Sequence, residues 1–121
     1  MLFRSELSLN IEKEAGRKVG EGKCYGNLGN VYSDLGQFQK AIKYYELSLN
    51  IAKEMGEKEV EGKNYCNLGS AYNGLGQFQT AIKYHELSLN IAKEVGNKAG
   101  EGNSYYNLGN AYNGLDRKSV V

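Results

Sequence analysis

The stretch YCNLGSAYNGLGQFQTAIKYHELSLNIAKE, residues 65–94, places three glycines among residues that otherwise favour helices. Tyr65, Leu68 and Tyr72 recur at i, i+3 and i+7, which is the spacing of one helical face. A second apolar pattern of helical spacing begins after the LGQ break. The stretch therefore predicts two consecutive helices joined by a short turn, of which we name the first helix A and the second helix B.

This helix pair belongs to an internal repeat. Residues 21–60 and 61–100 align with 28 identities in 40 positions. Residues 6–20 match the end of the unit, so residues 1–20 are assigned to a partial repeat with helix B, and residues 101–115 match its beginning, which is helix A. The sequence predicts a single array with the helix order B-A-B-A-B-A, followed by an irregular tail at residues 116–121.

Helix B carries two apolar stripes, represented by Phe38, Ala41 and Tyr45 on one and by Leu47 and Ile51 on the other. A helix with two apolar sides packs on its own helix A and also on helix A of the following unit, as in solenoid proteins. The predicted fold class is therefore an all-α solenoid of antiparallel helix pairs.

The glycines have different predicted roles. Those that follow a helix are expected to adopt the left-handed conformation that ends it; they are Gly36 and Gly76 after helix A, and Gly16, Gly56 and Gly96 after helix B. Gly29, Gly69 and Gly109 lie inside helix A, where each costs about 1 kcal/mol relative to alanine, and predict a close approach of helix B. Gly74 and Gly114 have no assigned role, because Asp34 takes their place in the first unit. A phosphate loop is disfavoured, since no strand precedes these glycines.

Composition excludes several functions. The formal net charge is +1, so no overall field recruits nucleic acid or an anionic membrane. No apolar run reaches the roughly 20 residues that span a bilayer, and we expect a cytoplasmic protein. Cys24, Cys66 and the lone His85 form no cluster typical of a metal or redox site. No catalytic constellation is present, so we expect neither an enzyme nor a cofactor, and we expect His85 to pack in the core.

The repeat resembles the tetratricopeptide repeat. The resemblance is carried by Tyr25, Leu28, Gly29, Tyr32, Gly36, Phe38 and Ala41, and again by Tyr65, Leu68, Gly69, Tyr72, Gly76, Phe78 and Ala81. The family's usual period is about 34 residues, and the forty-residue unit is similar to that of Pins/LGN-type cell-polarity scaffolds. The resemblance implies a right-handed superhelix with an inner wall of A helices, and a noncatalytic scaffold that binds protein or peptide ligands.

A polar face adjoins the apolar stripe of helix A, and it supplies the candidate peptide-binding residues: Lys23, Asn27, Asn30, Lys63, Asn67, Ser70, Asn73, Asn107 and Asn110. A carboxamide both donates and accepts, which suits a peptide backbone, and lysines suit an acidic ligand. The resemblance implies that this face lines the ligand groove. The competing interpretation is that the asparagines join neighbouring helices and that the lysines are solvated.

The repeat is interrupted at both ends. Leu7, Leu9 and Ile11 lack a preceding helix A, and Tyr105 and Tyr112 lack a following helix B. Exposed apolar ends predict association between copies, either head to tail or end to end. The alternative function is therefore a self-associating structural module. The terminal Ser119-Val120-Val121 also matches a Ser-x-Val ligand for PDZ domains, which is a three-residue signal.

Overall fold

The computed structural model describes residues 2–120, and side chains from residue 7 to residue 119. Five α-helices follow one another: α1 Leu2–Asp34, α2 Phe38–Met55, α3 Lys58–Gly74, α4 Phe78–Val95 and α5 Lys98–Val120. Each helix packs on the next, and α3 also contacts α5. No strand occurs in the described range, so the predicted all-α solenoid is confirmed.

Four of the predicted turn glycines adopt the left-handed conformation. Gly36 and Gly76 have φ of 75°, Gly56 has 69° and Gly96 has 71°. At each of these positions a residue with a Cβ would be strained. The helix boundaries inside the two full units therefore lie where the sequence predicts them.

The predicted turn at Gly16 is wrong. The helix α1 runs unbroken from Leu2 to Asp34, so the helix B and helix A segments at the start of the chain form one helix, and the described chain has five helices rather than six. A turn needs a packed partner to offset the hydrogen bonds that it interrupts. The described residues include no preceding helix A for this segment to pack on, and Arg17, a good helix former, follows Gly16.

The predicted irregular tail is also wrong for residues 116–120, because α5 continues through Val120. Asp116 stands where Gly36 and Gly76 end the earlier A helices, so no residue at that point readily takes the left-handed conformation. The Ser119 hydroxyl donates to the Asp116 carbonyl at 2.9 Å. Val121, the last residue of the Ser-x-Val tail, lies outside the described residues.

The glycines inside helix A bring helix B close, as predicted. A Cβ on Gly29 would lie 2.6 Å from the Tyr45 ring, and a Cβ on Gly69 would lie 2.7 Å from the His85 ring. Both distances are too short for a real side chain, so the ring occupies the space that any other residue would need. Nothing lies within 4 Å of a Cβ on Gly109, because no helix B follows α5 in the described chain.

The structure also assigns a role to Gly74 and Gly114. A Cβ on Gly74 would lie 2.6 Å from the Phe38 ring, and one on Gly114 would collide with the Phe78 ring. The first residue of each helix B therefore packs on the last turn of the following helix A. Asp34 takes this place in the first unit, where the described chain places no helix B phenylalanine against it.

Alanine substitutions at two equivalent positions test this packing. Gly69→Ala places a methyl group against the His85 ring, and we expect it to lower the free energy of unfolding by about 1–3 kcal/mol. Gly109→Ala meets open space, and we expect it to raise that free energy by up to about 1 kcal/mol. Urea denaturation followed by circular dichroism measures both values. Equal effects at the two sites would contradict the close approach.

His85 makes stability depend on pH. Its side chain is buried, and burial lowers the pKa of the imidazole below its usual value of 6.5. The unfolded chain therefore binds the proton more tightly, and this contribution to stability, complete above about pH 6.5, is lost as the pH falls toward the folded pKa.

We expect the melting temperature to fall between about pH 7.5 and about pH 5.5. His85→Tyr is the matched control, because Tyr45 fills the same place in the previous unit. This variant should show a much weaker dependence over the same range, measured by differential scanning calorimetry. An unchanged slope in the variant would assign the effect to other groups.

Candidate functional site

The candidate site is the trough between α3 and α5, the two A helices that contact each other directly. Each helix turns its apolar stripe toward a helix B, which leaves its polar face along this line. Of the predicted residues, Lys63 lines one cavity of the trough, Asn73 and Asn110 line another, and Asn107 bonds from α5 to α3, whereas Asn67 lies on α3 and lines neither cavity. Asn67, Asn73 and Asn107 are half-buried, whereas Lys63 and Asn110 are exposed.

One end of the trough is a cavity of about 220 Å³. Its polar lining includes Lys63, Cys66, Glu59 and Asn103. The floor comes from α4, where Ile91 packs 3.0 Å from the place of a Cβ on Gly62. Because Lys63 and Glu59 carry opposite charges, this end of the trough has little net charge.

The middle of the trough is tied together by Asn107. Its Nδ2 donates to the Sγ of Cys66 at 3.4 Å, which links α5 to α3. Burial raises the pKa of the Cys66 thiol, and the hydrogen bond from Asn107 opposes that rise in part. Asn107 therefore takes part in the contact between units, which the competing interpretation expects, while its Oδ1 stays able to accept another hydrogen bond.

The other end is a cavity of about 500 Å³. Its lining includes Asn73 from α3 together with Asn110, Asn113 and Arg117 from α5. The Oδ1 atom of Asn73 is buried and accepts no hydrogen bond from any described residue. A buried acceptor without a donor costs about 1–3 kcal/mol. Asn73 therefore carries a buried polar group that no described residue satisfies.

The remaining predicted residues line neither cavity of the trough. Lys23, Asn27 and Asn30 lie exposed on α1, and Ser70 lies exposed on α3. The Tyr45 hydroxyl donates to the Oδ1 of Asn30 at 2.7 Å, so Asn30 connects helix A to helix B of its own unit. Asn30 therefore helps to stabilise its own helix pair.

Arg117 and Lys118 were missed by the sequence analysis. Both line the larger cavity, and α5 carries them there by continuing past Asp116. Arg117 follows Asn110 by seven residues and Asn113 by four, which is the spacing of one helical face. That spacing was the available signal, and the prediction of an irregular tail concealed it.

Serines on helix B form buried hydrogen bonds that join it to the A helices. The Asn64 amide donates to the Ser48 hydroxyl at 3.0 Å, and the Ser88 hydroxyl donates to the Gly62 carbonyl at 3.1 Å. Each pair is buried and joins helix B to an A helix. Buried polar groups are thus satisfied at these positions, and the A helices stay fixed in register along the trough.

Two classes of site are not found in the described part of the chain. Between residues 2 and 120, no group of three histidine, cysteine, aspartate or glutamate side chains is placed to hold a metal ion. Nor does any helix in that range combine the length and apolar character needed to cross a membrane.

Comparison with known proteins identifies the repeat. Residues 61–119 match one sequence model of the tetratricopeptide repeat, and residues 22–54 match a second. No curated protein sequence matches the chain significantly.

Solved structures share the fold. The TPR domain of Arabidopsis FLU superposes with a TM-score of 0.78 at 23% identity, over 82% of this chain and 83% of that one. BtubC from P. vanneervenii gives a TM-score of 0.74 at 24% identity, over 92% of this chain and 47% of that one. This chain therefore spans about half the length of BtubC. At these identities the likeness concerns the fold.

The two thiols should report the geometry of the trough. Cys24 is exposed and Cys66 is partly buried, and only the thiolate reacts with alkylating agents. We expect iodoacetamide at neutral pH to modify Cys24 faster than Cys66, measured by mass spectrometry on the single-thiol variants Cys66→Ala and Cys24→Ala. Faster modification of Cys66 would contradict its position between α3 and α5.

Proposed function

Because the chain belongs to the tetratricopeptide repeat family, whose helix pairs build protein-binding scaffolds, we propose that it binds an extended peptide segment of a partner protein in the trough between α3 and α5. The role is noncatalytic. The ligand lies across the polar faces of two successive A helices.

The observation that carries this proposal is the buried Oδ1 of Asn73, which has no donor among the described residues. Asn73 lines an open cavity of about 500 Å³, and its side chain would have to turn to bring this acceptor to a ligand there, because the atom is shielded from solvent. A peptide N–H group is a donor of suitable size, and its hydrogen bond would remove the desolvation cost of this acceptor. Affinity then comes from a polar group that the folded chain leaves unsatisfied.

The other amides extend the recognition along the ligand backbone. Asn67 and Asn110 each present a donor and an acceptor, and Asn107 keeps a free acceptor beside its bond to Cys66. Amides spaced along two adjacent helices can bond to successive peptide groups. Such hydrogen bonds recognise the main chain of the ligand. The site therefore selects ligands by their extended conformation more than by one strict sequence.

Charge favours an acidic residue at one end of the ligand. Arg117 and Lys118 line the larger cavity, whereas Lys63 at the smaller cavity is accompanied by Glu59. A carboxylate placed near Arg117 gains charge-assisted hydrogen bonds. Because these cations are exposed, the gain is screened by salt and should weaken as ionic strength rises.

Self-association is a second candidate function. The apolar residues Leu7, Leu9 and Ile11 on α1 and Tyr105 and Tyr112 on α5 are exposed. Exposed apolar surface of this kind is typical of an interface. Self-association uses surfaces other than the trough, so one molecule can both bind a peptide and associate with other copies.

A peptide array supplies a ligand, and variants test where it binds. Asn73→Ala and Asn113→Ala each remove a polar group of the larger cavity, and we expect either to weaken binding about 5- to 100-fold. Asn50→Ala is the matched control, because Asn50 is exposed on α2 and should leave the dissociation constant unchanged. Fluorescence anisotropy measures all three.

Asn73→Ala removes an unsatisfied acceptor, so the free protein should be at least as stable as the parent. Loss of binding would then not reflect loss of folding. Bound peptide should also slow the alkylation of Cys66. Unweakened binding by both cavity variants would refute the assignment of the trough.

A further inference from the structure

The two junctions between repeat units differ in the size of their side chains. Where α2 leads into α3, the chain carries Met55 and Val60. At the same repeat positions, where α4 leads into α5, it carries the smaller Val95 and Gly100. The smaller cavity of the trough, of about 220 Å³, lies at this second junction, with Val95 and Gly100 in its lining. The exchanges to smaller residues therefore leave space between the helices.

Asn97 fixes one wall of this cavity. It directly precedes α5, and its Oδ1 accepts a hydrogen bond from the Gly100 backbone N–H at 2.9 Å. A Cβ on Gly100 would lie 2.8 Å from the Nδ2 of Asn97, so this amide occupies the place that a side chain at residue 100 would need. Glu57, at the same repeat position, makes no such side-chain cap. The wall is therefore ordered before any ligand binds.

The floor of the cavity is apolar. Ile91 and Ala92 of α4 are 7% and 6% exposed, and Val95, about one turn later, is 37% exposed. All three line the cavity. Water makes few hydrogen bonds over such a surface, so an apolar group that displaces this water gains free energy.

The buried polar groups in the lining already have partners. The Ser88 hydroxyl donates to the Gly62 carbonyl at 3.1 Å, and the Ser104 hydroxyl donates to Ser88 at 3.5 Å. The Sγ of Cys66 accepts from Asn107 at 3.4 Å. These hydrogen bonds favour an apolar occupant over a polar one.

The volume limits the occupant to one side chain. Sites for drug-sized ligands measure roughly 300–1,000 Å³, and a buried apolar cavity of about 150 Å³ holds a benzene molecule. The cavity of about 220 Å³ lies between these sizes. It suits a side chain of the size of leucine, methionine or phenylalanine.

We propose that the smaller cavity binds one apolar side chain of the peptide in the trough and selects leucine, methionine or phenylalanine at that ligand position. The inference rests on the proposed function, since the side chain belongs to the ligand of the trough. It adds a side-chain requirement to a site whose other contacts are to the ligand main chain and to a carboxylate.

The trough also sets where this residue lies in the ligand. Lys63 lines the smaller cavity and Asn73 lines the larger one. The ten residues from 63 to 73 span about 15 Å along α3. An extended peptide advances about 3.4 Å per residue, so about four to five residues separate the two ligand positions. The ligand therefore combines an apolar residue with an acidic residue at that spacing, the latter near Arg117.

A capped amino acid tests the cavity without the rest of the peptide. N-acetyl-leucinamide, titrated into carbon-13 labelled protein, should shift the methyl signals of Ile91 and Ala92 more than those of Ile51 and Ala52, their counterparts in the first full unit. N-acetyl-alaninamide should shift neither pair. Equal shifts at the two junctions, or no shift of Ile91 and Ala92, would overturn the inference.

Val95→Met fills the cavity with the residue that Met55 already places in the first full unit, so the fold should accept it. Short peptides that carry an acidic residue and, about four to five positions away, leucine or alanine supply the probes. The leucine peptide should bind at least about tenfold more tightly in fluorescence anisotropy. Val95→Met should remove most of this difference, whereas Leu87→Met, at an exposed position on α4, should not.

The outcomes separate this inference from the proposed function. If Asn73→Ala weakens the binding of both peptides but leucine gives no advantage over alanine, the trough binds peptides and the side-chain cavity is refuted. If Val95→Met weakens the leucine peptide alone, the cavity is supported. Peptide binding that neither variant weakens would overturn both proposals.

Discussion

Aromatic side chains of helix B pack directly against the backbone of helix A, and the rest of the structure depends on this contact. Tyr45 occupies the space beside Gly29, and Phe38 occupies the space beside Gly74. The first contact joins the two helices of one unit, and the second joins a unit to the next. Since each needs a glycine, both the spacing and the register of the helices are fixed by positions where no side chain fits.

This register determines what the A helices present to solvent. With their apolar stripes held against helix B, α3 and α5 contact each other along polar faces. Asn107 then reaches Cys66, and Asn73 is left with a buried acceptor. The same packing therefore accounts for a rigid scaffold and for a polar group that its own chain does not satisfy.

The repeated sequence was sufficient to predict the helices of the full units, their turn glycines and the glycines under helix B, since each depends on residues within one unit. The role of Gly74 could not be predicted, because its partner Phe38 lies 36 residues earlier in another unit. The straight α1 was missed for a related reason. Whether Gly16 turns depends on a packing partner, and the local sequence resembles that at Gly56 and Gly96.

The candidate site was predictable in part. The helical spacing identified Asn67, Asn73 and Asn107, but it treated them alike. Only the three-dimensional structure distinguishes Asn107, which bonds to Cys66, from Asn73, whose Oδ1 has no donor among the described residues. Arg117 was missed because the residue that ends helix A in earlier units is replaced by Asp116, and the extended helix adds a cation to the cavity.

The most direct test of the account is the response of the side-chain amides to a bound peptide. In a nitrogen-15 labelled sample, nuclear magnetic resonance should show that the amide signals of Asn67, Asn73 and Asn110 shift on titration. The signals of Asn50 and Asn90, on α2 and α4, should not. Shifts confined to Asn50 and Asn90 would place the ligand on the B helices and contradict the proposal that the A helices form the binding surface.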